Sequence, residues 1–208
     1  MALRDRLLAT KGGYALFRKV VRADRSMQKI VDIYIRPAGG QVVVDLGCGI
    51  GDLAQMLPES VDYIGVDHNP SYLAPDQLST SAENRRQFIN ADVTGIGGLD
   101  LPPIDVAVAI GVLHHLTDTQ VTEMLYSVAT KLAPSGRLVT VDPVFWPEQA
   151  SSTRIMMALD RGRYVRQSEH YDFLVRQAFP SAERTIRSDL NAFPYTHCIF
   201  EASTDPTR

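Results

Sequence analysis

Residues 42–52 read VVVDLGCGIGD, and this stretch decides the fold. The three consecutive valines predict a strand that is covered on both faces, because β-branched residues favour strands and parallel strands are buried on both sides. Gly47, Gly49 and Gly51 then predict a tight turn, and a helix is expected to begin near Asp52. Since glycine has no Cβ, a ligand can lie directly against the backbone of this turn.

Strand and helix patterns alternate along most of the chain. Strands are predicted at residues 63–67, 87–90, 104–110, 137–142, 182–190 and 195–202. Repeated strand-helix units imply a parallel sheet with right-handed crossovers and helices on both faces. The carboxyl ends of such strands share one rim, and ligands bind there at the point where the strand order reverses.

A glycine turn of this kind also occurs in dinucleotide sites, whose fingerprint is G-x-G-x-x-G. Here Asp52 occupies the position of the third glycine. An anionic side chain at the start of a helix repels the phosphates that a helix N-terminus normally attracts. The turn therefore favours a ligand with a single carboxylate and a positive centre over a nicotinamide dinucleotide.

A second acidic residue ends the next predicted strand. The predicted strand 63–67 ends in Asp67, which lies 22 residues after Asp45. A carboxylate about 20 residues on, at the tip of the next strand, is placed to bind the hydroxyl groups of a ribose. Glycine turns and terminal acids are each common in α/β proteins, so their coincidence is what indicates a ligand that contains a nucleoside.

The pattern Asp-x-Gly-x-Gly-x-Gly at residues 45–51 resembles the motif of class I, Rossmann-like S-adenosylmethionine-dependent methyltransferases of the small-molecule type. The resemblance is strong from about residue 40 to residue 142 and loose elsewhere. It implies an α/β fold with a doubly wound, mostly parallel seven-stranded sheet, helices on both faces and an antiparallel last strand. The last two strands are expected to pair as a hairpin at the edge of the sheet.

The same resemblance implies that S-adenosylmethionine is the cofactor and S-adenosylhomocysteine its product. The glycine turn would hold the methionyl part, Asp67 the ribose and Asp92 the adenine amino group. The expected cofactor-binding residues are Asp45, Gly47, Cys48, Gly49, Gly51, Asp67, His68, Asp92, Val93 and Ile110.

The implied reaction is an in-line methyl transfer, in which holding both reactants in alignment lowers the barrier most. A hydroxyl acceptor also needs a general base. His115 is the first candidate and His114 the second, because an imidazole can accept a proton near neutral pH. Adjacent residues in a loop do not face the same way, so one of the two is expected to pack elsewhere. The alternative is that His114, His115 and Leu116 cap the next helix and bind nothing.

Several later residues are candidates for binding the acceptor. Arg163 and Arg166 lie in a local cationic cluster, and guanidinium groups bind carboxylates or phosphates bidentately. The cluster suggests an acidic acceptor, although a solvated helix end would contain the same residues. The candidate substrate-binding residues are Tyr14, Asp142, Arg163, Arg166 and Tyr195.

No metal is expected at this rim. Enzymes of the catechol type place carboxylates around Mg²⁺ after strands four and five, whereas Ile110 and Gly111 follow strand four here. The histidines also lack the spacing of a zinc site.

The chain is expected to fold as an N-terminal helical segment at 1–36 and a cofactor-binding domain at 37–203, with a helical insertion at about 144–179. Met27, Ile30, Val31, Tyr34 and Ile35 recur at helical spacing after Ser26, a candidate N-cap. Residues 1–22 either form a lid over the cofactor or pack outside the sheet.

The 208 residues carry a net charge of −3 and two cysteines, Cys48 and Cys198. This charge gives no overall field for nucleic acid, and the thiols suit a reducing compartment. With no apolar run of 18 residues, we expect no membrane span and a cytoplasmic protein. The resemblance implies a role in small-molecule biosynthesis. The expected partner is a small-molecule acceptor; the oligomeric state is open, with a homodimer as one option.

Three alternatives remain open at this point. An N-methyltransferase needs little activation of its amine, so positioning alone would suffice. A non-catalytic partner would bind S-adenosylmethionine without turnover. A nicotinamide oxidoreductase would share the fold but bind a different ligand.

Overall fold

The computed structural model describes residues 23–73, 85–147, 149, 163–191 and 195–204. The predicted lid at 1–22 lies outside these ranges. The first described element is helix α1 (Ala23–Ile30), which continues into a π-helical turn, Val31–Ile35.

The predicted apolar stripe of this first segment is confirmed as a core face. Ile30, Val31, Tyr34 and Ile35 are all buried, and Met27 packs against the same cluster. The prediction of Ser26 as an N-cap is wrong, because the residue lies inside α1 and its hydroxyl donates to the Leu190 carbonyl oxygen at 2.9 Å. The Ser26 hydroxyl is bound to a buried acceptor from a distant part of the chain, so it does not cap the end of the helix.

Eight strands form the sheet within the described residues. They are β1 (Val42–Leu46), β2 (Asp62–Asp67), β3 (Arg86–Asn90), β4 (Ile104–Ile110), β5 (Leu132–Phe145), β6 (Arg166–Gln167), β7 (Glu183–Arg187) and β8 (His197–Ser203). The order across the sheet is β3-β2-β1-β4-β5-β8-β7, and β6 pairs with the end of β5.

Strands β1 to β5 run parallel, whereas β8 is antiparallel to both β5 and β7. The predicted doubly wound sheet with an antiparallel last strand is therefore confirmed, and the two-residue β6 is the addition to the seven strands. Strand β1 has β2 on one side and β4 on the other, so the order reverses between β1 and β4. That reversal is where α/β sheets bind ligands.

Two longer helices cover one face, α2 (Asp118–Lys131) and α3 (Ser168–Ala178). Thr117 and Gln120 form a capping box that starts α2. The helix ends before residues 134–136, as their proline and glycine predict, but β5 begins at once, at Leu132 rather than at 137. The pairing with β4 is irregular there: Leu132 pairs with Ile104 and Arg137 with Val106, so residues 133–136 bulge out of the ladder.

The core consists of two clusters, one on each face of the sheet. Val44 and Leu46 of β1 belong to the cluster under α2 and α3, whereas Val43 belongs to the cluster under α1. This two-sided burial explains why β1 and β4 are almost continuously apolar. Both cysteines are buried free thiols. None of the helices within the described ranges combines the length and apolarity needed to cross a bilayer.

Gly65 in the middle of β2 gives a test of this packing beside the glycine turn. A Cβ at this position would lie 2.8 Å from the Cys48 Sγ and 2.9 Å from the Tyr63 hydroxyl. We expect Gly65→Ala to lower the free energy of unfolding by about 1–3 kcal/mol, the usual cost of overpacking a core. Urea titration followed by circular dichroism measures the change. Gly95→Ala is the control, because a Cβ there meets nothing within 4 Å; equal losses in both variants would contradict the account.

Candidate functional site

The three glycines of the turn after β1 serve different purposes. All three have left-handed backbones, with φ of 72° at Gly47, 57° at Gly49 and 81° at Gly51. A Cβ on Gly47 would lie 2.7 Å from a methyl group of Val112, so this glycine lets the loop after β4 pack closely. A Cβ on Gly49 would meet nothing within 4 Å. The backbone at Gly49 therefore offers the open surface on which a ligand can lie.

Hydrogen bonds to β2 hold the turn. The N–H groups of Gly47 and Cys48 both donate to the Val66 carbonyl oxygen, at 2.7 and 3.1 Å. The Gly49 N–H donates to Oδ2 of Asp67 at 2.9 Å, and the Asn69 N–H donates to Oδ1 at 2.8 Å. Asp67 is buried at the tip of β2, and each of its oxygens accepts one of these bonds. A carboxylate has about four acceptor positions, so two remain for further donors.

Asp45 lies beneath the turn in a different environment. It is buried, and the Tyr63 hydroxyl donates to its Oδ2 at 2.8 Å. Burial raises the pKa of Asp45 to about 7; the Tyr63 hydrogen bond opposes this rise, whereas the charges of Asp67 and Asp52 add to it. Burial, followed by the charge of Asp45, also raises the pKa of the Cys48 thiol. Three carboxyl groups therefore surround the glycine turn, an arrangement that favours a positively charged ligand and disfavours a phosphate.

The remaining predicted cofactor residues lie at the carboxyl ends of β2, β3 and β4. Asp92 caps the 3₁₀ turn Val93–Gly98, and its Oδ1 accepts from the N–H and the hydroxyl of Thr94 at 2.9 and 2.8 Å. These two bonds hold the pKa of Asp92 below its usual range. The Val93 side chain is part of the core, Ile110 ends β4, and His68 is exposed beside Asp67.

The two adjacent histidines after β4 have different surroundings. His114 is 4% exposed, whereas His115 is exposed to solvent. Asp142, which is 1% exposed in β5, binds His114 twice: its Oδ1 lies 2.8 Å from Nδ1 of the ring and 3.1 Å from the backbone nitrogen. The two rings lie 4.1 Å apart. Asp142, which the sequence placed among the candidate substrate-binding residues, thus orients a histidine.

Arg166 does not face an open pocket. It is 5% exposed, and its guanidinium donates to Asp118 and to the carbonyl oxygens of Leu113, Leu116 and Tyr164. These protein acceptors, rather than an acidic ligand, surround its charge.

The other candidate acceptor residues are dispersed. Arg163 is exposed just before β6, and Tyr195 is half-buried with its ring 5.3 Å from that of His197. Tyr14 lies outside the described residues. Among the residues that are described, no three His, Cys, Asp or Glu side chains come together as a metal site would require.

Sequence reasoning missed Tyr63 as a member of the site. The signal available was a tyrosine inside an otherwise apolar strand, since a buried Tyr hydroxyl usually has a hydrogen-bond partner. Nothing in the sequence indicates that this partner is Asp45, because the contact depends on the parallel pairing of Val43 with Tyr63 and of Asp45 with Gly65.

Comparisons with known proteins agree with this geometry. Residues 44–138 match the family described as "Methyltransferase domain". Those residues form a methyltransferase domain of the class I fold. The match runs from β1, across the glycine turn, Asp67 and the two histidines, into the middle of β5, and thus covers most of the rim.

The methyltransferase domain also has named relatives. Over 154 residues the chain is 30% identical to the acetylserotonin O-methyltransferase of Mus musculus, a match that covers 67% of this chain and 39% of the mouse protein. The chain thus spans well under half the length of this relative.

Two solved structures share the fold. The mitomycin 7-O-methyltransferase superposes with a TM-score of 0.65 at 19% identity, over 86% of this chain and 53% of that one. The phosphoethanolamine N-methyltransferase 2 of Haemonchus contortus, solved with phosphomonomethylethanolamine and S-adenosylhomocysteine, superposes with a TM-score of 0.65 at 15% identity, over 85% and 52% of the two chains.

The pair formed by Tyr63 and Asp45 in the methyltransferase domain can be tested directly. Tyr63→Phe removes the donor that stabilises the ionised carboxyl, so the pKa of Asp45 is expected to rise further above about 7. Carbon-13 NMR of labelled aspartate carboxyls measures the titration midpoint. Tyr126→Phe is the matched control, because that exposed hydroxyl donates to the Gln177 carbonyl oxygen, on α3. An unchanged Asp45 midpoint in Tyr63→Phe would contradict the assignment.

Proposed function

We propose that this chain transfers a methyl group from S-adenosylmethionine to a hydroxyl group of a small molecule. The observation that carries the proposal is the glycine turn, open at Gly49 and bonded to Asp67, within a methyltransferase domain. The mouse relative and one of the two structural neighbours bear the names of O-methyltransferases, which supports an oxygen acceptor.

The residues of the turn fit this cofactor. The open backbone at Gly49 accommodates the methionyl part, and the remaining acceptor positions of Asp67 suit the two ribose hydroxyls. The carboxyls of Asp45 and Asp52 complement the positive charge of the ammonium and sulfonium groups. Asp92, Val93 and Ile110 would border the adenine, with Asp92 meeting the amino group.

S-adenosylmethionine supplies the methyl group: as the acceptor oxygen bonds to the methyl carbon, the carbon–sulfur bond breaks and the sulfur keeps its electron pair. The acceptor must also lose its proton. Nδ1 of His114 lies 2.8 Å from Asp142, so a ring that donates its Nδ1–H to this carboxylate would take the acceptor proton at Nε2. Asp142 would then stabilise the charged imidazolium, as the orienting carboxylate of a catalytic dyad does.

This proposal reverses the order of the two candidate bases. Sequence reasoning placed His115 first, but a general base needs a fixed ring; the His114 ring is buried and bound to the buried carboxylate of Asp142, whereas His115 is exposed to solvent. We also leave out an acidic acceptor, because Arg166 is surrounded by acceptors of the protein itself.

Cofactor binding is the first test. Calorimetry should detect binding of S-adenosylhomocysteine, and Asp67→Ala should weaken it at least about tenfold, since it removes both the ribose acceptor and the anchor of the turn. Glu123→Ala, an exposed carboxylate on α2, is the control. If neither the product nor S-adenosylmethionine binds the wild-type protein, the proposal fails.

The choice of base is tested by two single variants. We expect His114→Ala to lower turnover by about 10²- to 10⁴-fold, the usual contribution of a general base, and His115→Ala to lower it by no more than about threefold. Turnover is measured with labelled methyl donor over a panel of phenols and alcohols, and affinity for S-adenosylhomocysteine serves as the control for an intact site. A larger loss in His115→Ala than in His114→Ala would restore the first candidate.

The acceptor class needs its own measurement, because one structural neighbour is named as an N-methyltransferase. Paired acceptors that differ only in bearing a hydroxyl or an amine distinguish the two reactions. Methylation of the amine that survives His114→Ala would favour the nitrogen reaction, in which positioning alone suffices.

A further inference from the structure

Arg166 in β6 makes an unusual set of contacts for a buried cation. Its Nε and Nη2 lie 2.9 and 2.8 Å from Oδ1 of Asp118. Nη1 donates to the carbonyl oxygens of Leu113 and Tyr164 at 2.8 and 3.0 Å, and Nη2 donates to that of Leu116 at 2.7 Å. One guanidinium thus joins the start of α2, the segment before β6 and the turn after β4.

That turn is the one that carries the two histidines. Leu113 opens the 3₁₀ turn Leu113–His115, and Leu116 follows it. The Arg166 guanidinium therefore binds a carbonyl group on each side of the histidine pair. The Tyr164 N–H donates to the carbonyl oxygen of His114 itself, at 3.0 Å. Three of the four carbonyl groups from 113 to 116 are therefore bound by residues 164 and 166.

The histidine turn is consequently held from two sides. Asp142 of β5 binds the ring and the N–H of His114, and Arg166 of β6 binds the carbonyl groups that flank it. The two strands are themselves paired, with Val144 opposite Arg166. Any shift of the guanidinium relative to β5 would therefore move the His114 backbone relative to Asp142.

The surroundings of Arg166 fix its guanidinium in place. Asp118 supplies the opposite charge, and its other oxygen lies 2.9 Å from Nε2 of His170. The Tyr164 and Tyr171 rings lie 5.9 and 5.5 Å from the guanidinium carbon. A planar fork with five N–H donors fills these acceptor positions, whereas the compact ammonium of lysine cannot reach them all.

We propose that Arg166 is a positioning residue for the general base: it holds the histidine turn so that the His114 ring keeps its bond to Asp142 and its angle to the acceptor hydroxyl. This inference rests on the proposed role of His114. It gives Arg166 a function inside the protein instead of one in recognising an anionic acceptor.

Arg166→Lys is the test, because it keeps the charge and removes the fork. We expect a fall in kcat of about tenfold or more, since a displacement of about 1 Å near the chemistry can cost 10²-fold, with affinity for S-adenosylhomocysteine unchanged within about twofold. Arg176→Lys is the matched control, because that arginine is an exposed residue of α3 paired with Asp172. It should leave kcat unchanged.

A double-mutant cycle separates positioning from a merely structural role. If Arg166 acts through His114, then Arg166→Lys should cause little further loss of turnover in the His114→Ala background. A structural role would lower turnover by the same factor in both backgrounds, and that result would overturn the proposal. Turnover is expressed per folded site, counted by S-adenosylhomocysteine binding, so that partial unfolding is not mistaken for a catalytic effect.

A readout without turnover completes the design. In the wild-type protein, the Nδ1 proton of His114 should give a downfield NMR signal from its short bond to Asp142, absent in His114→Ala. Arg166→Lys should shift or broaden this signal, and Arg176→Lys should not. An unmoved signal in Arg166→Lys would overturn the positioning role, whereas failure of the proposed function would show as a wild-type protein that neither binds the cofactor nor transfers methyl groups.

Discussion

The hydrogen bond from the Gly49 N–H to the Asp67 carboxylate is the contact on which the rest of the rim depends. Together with the bonds from Gly47 and Cys48 to the Val66 carbonyl oxygen, it directs successive N–H groups of the turn toward β2. The opposite side of the turn is then left to a ligand. Only a backbone with positive φ at alternate residues can follow this path, which is why glycine recurs at 47, 49 and 51.

Two aspartates near the rim differ in their properties because their surroundings differ. Asp67 accepts two backbone N–H groups, which stabilise a charged acceptor at the tip of β2. Asp45 is buried beneath the turn with a single tyrosine hydroxyl as its donor, and burial raises its pKa to about 7. Near neutral pH, part of the population therefore carries a proton on Asp45, and a positively charged ligand is expected to favour the ionised form. Cofactor binding and proton release are thereby linked.

The other side of the rim is built around a histidine that two strands hold. Asp142 fixes the ring of His114, and Arg166 fixes the carbonyl groups on either side of the histidine pair. Asp142 and Arg166 come from separate strands, and the intervening segment includes residues outside the described ranges. His114 itself lies on a short 3₁₀ turn, and this turn keeps its geometry because the two groups that hold it lie on paired strands.

The sequence by itself determined the sheet, the glycine turn, Asp67 at the tip of β2 and the family, because these depend on local features: apolar runs, the φ preference of glycine and a fixed spacing between two acids. Strand β4 was predicted with the bounds it has, whereas β5 was predicted too short at both ends: residues 133–136 bulge without leaving the strand, and the strand continues through Pro143 to Phe145. Only the tertiary structure decided that the His114 ring is buried against Asp142 while His115 is exposed, that Tyr63 bonds to Asp45 and that Arg166 lies within the protein. These outcomes depend on which strands become neighbours, and a side chain carries no local sign of the partner that a distant strand will bring to it.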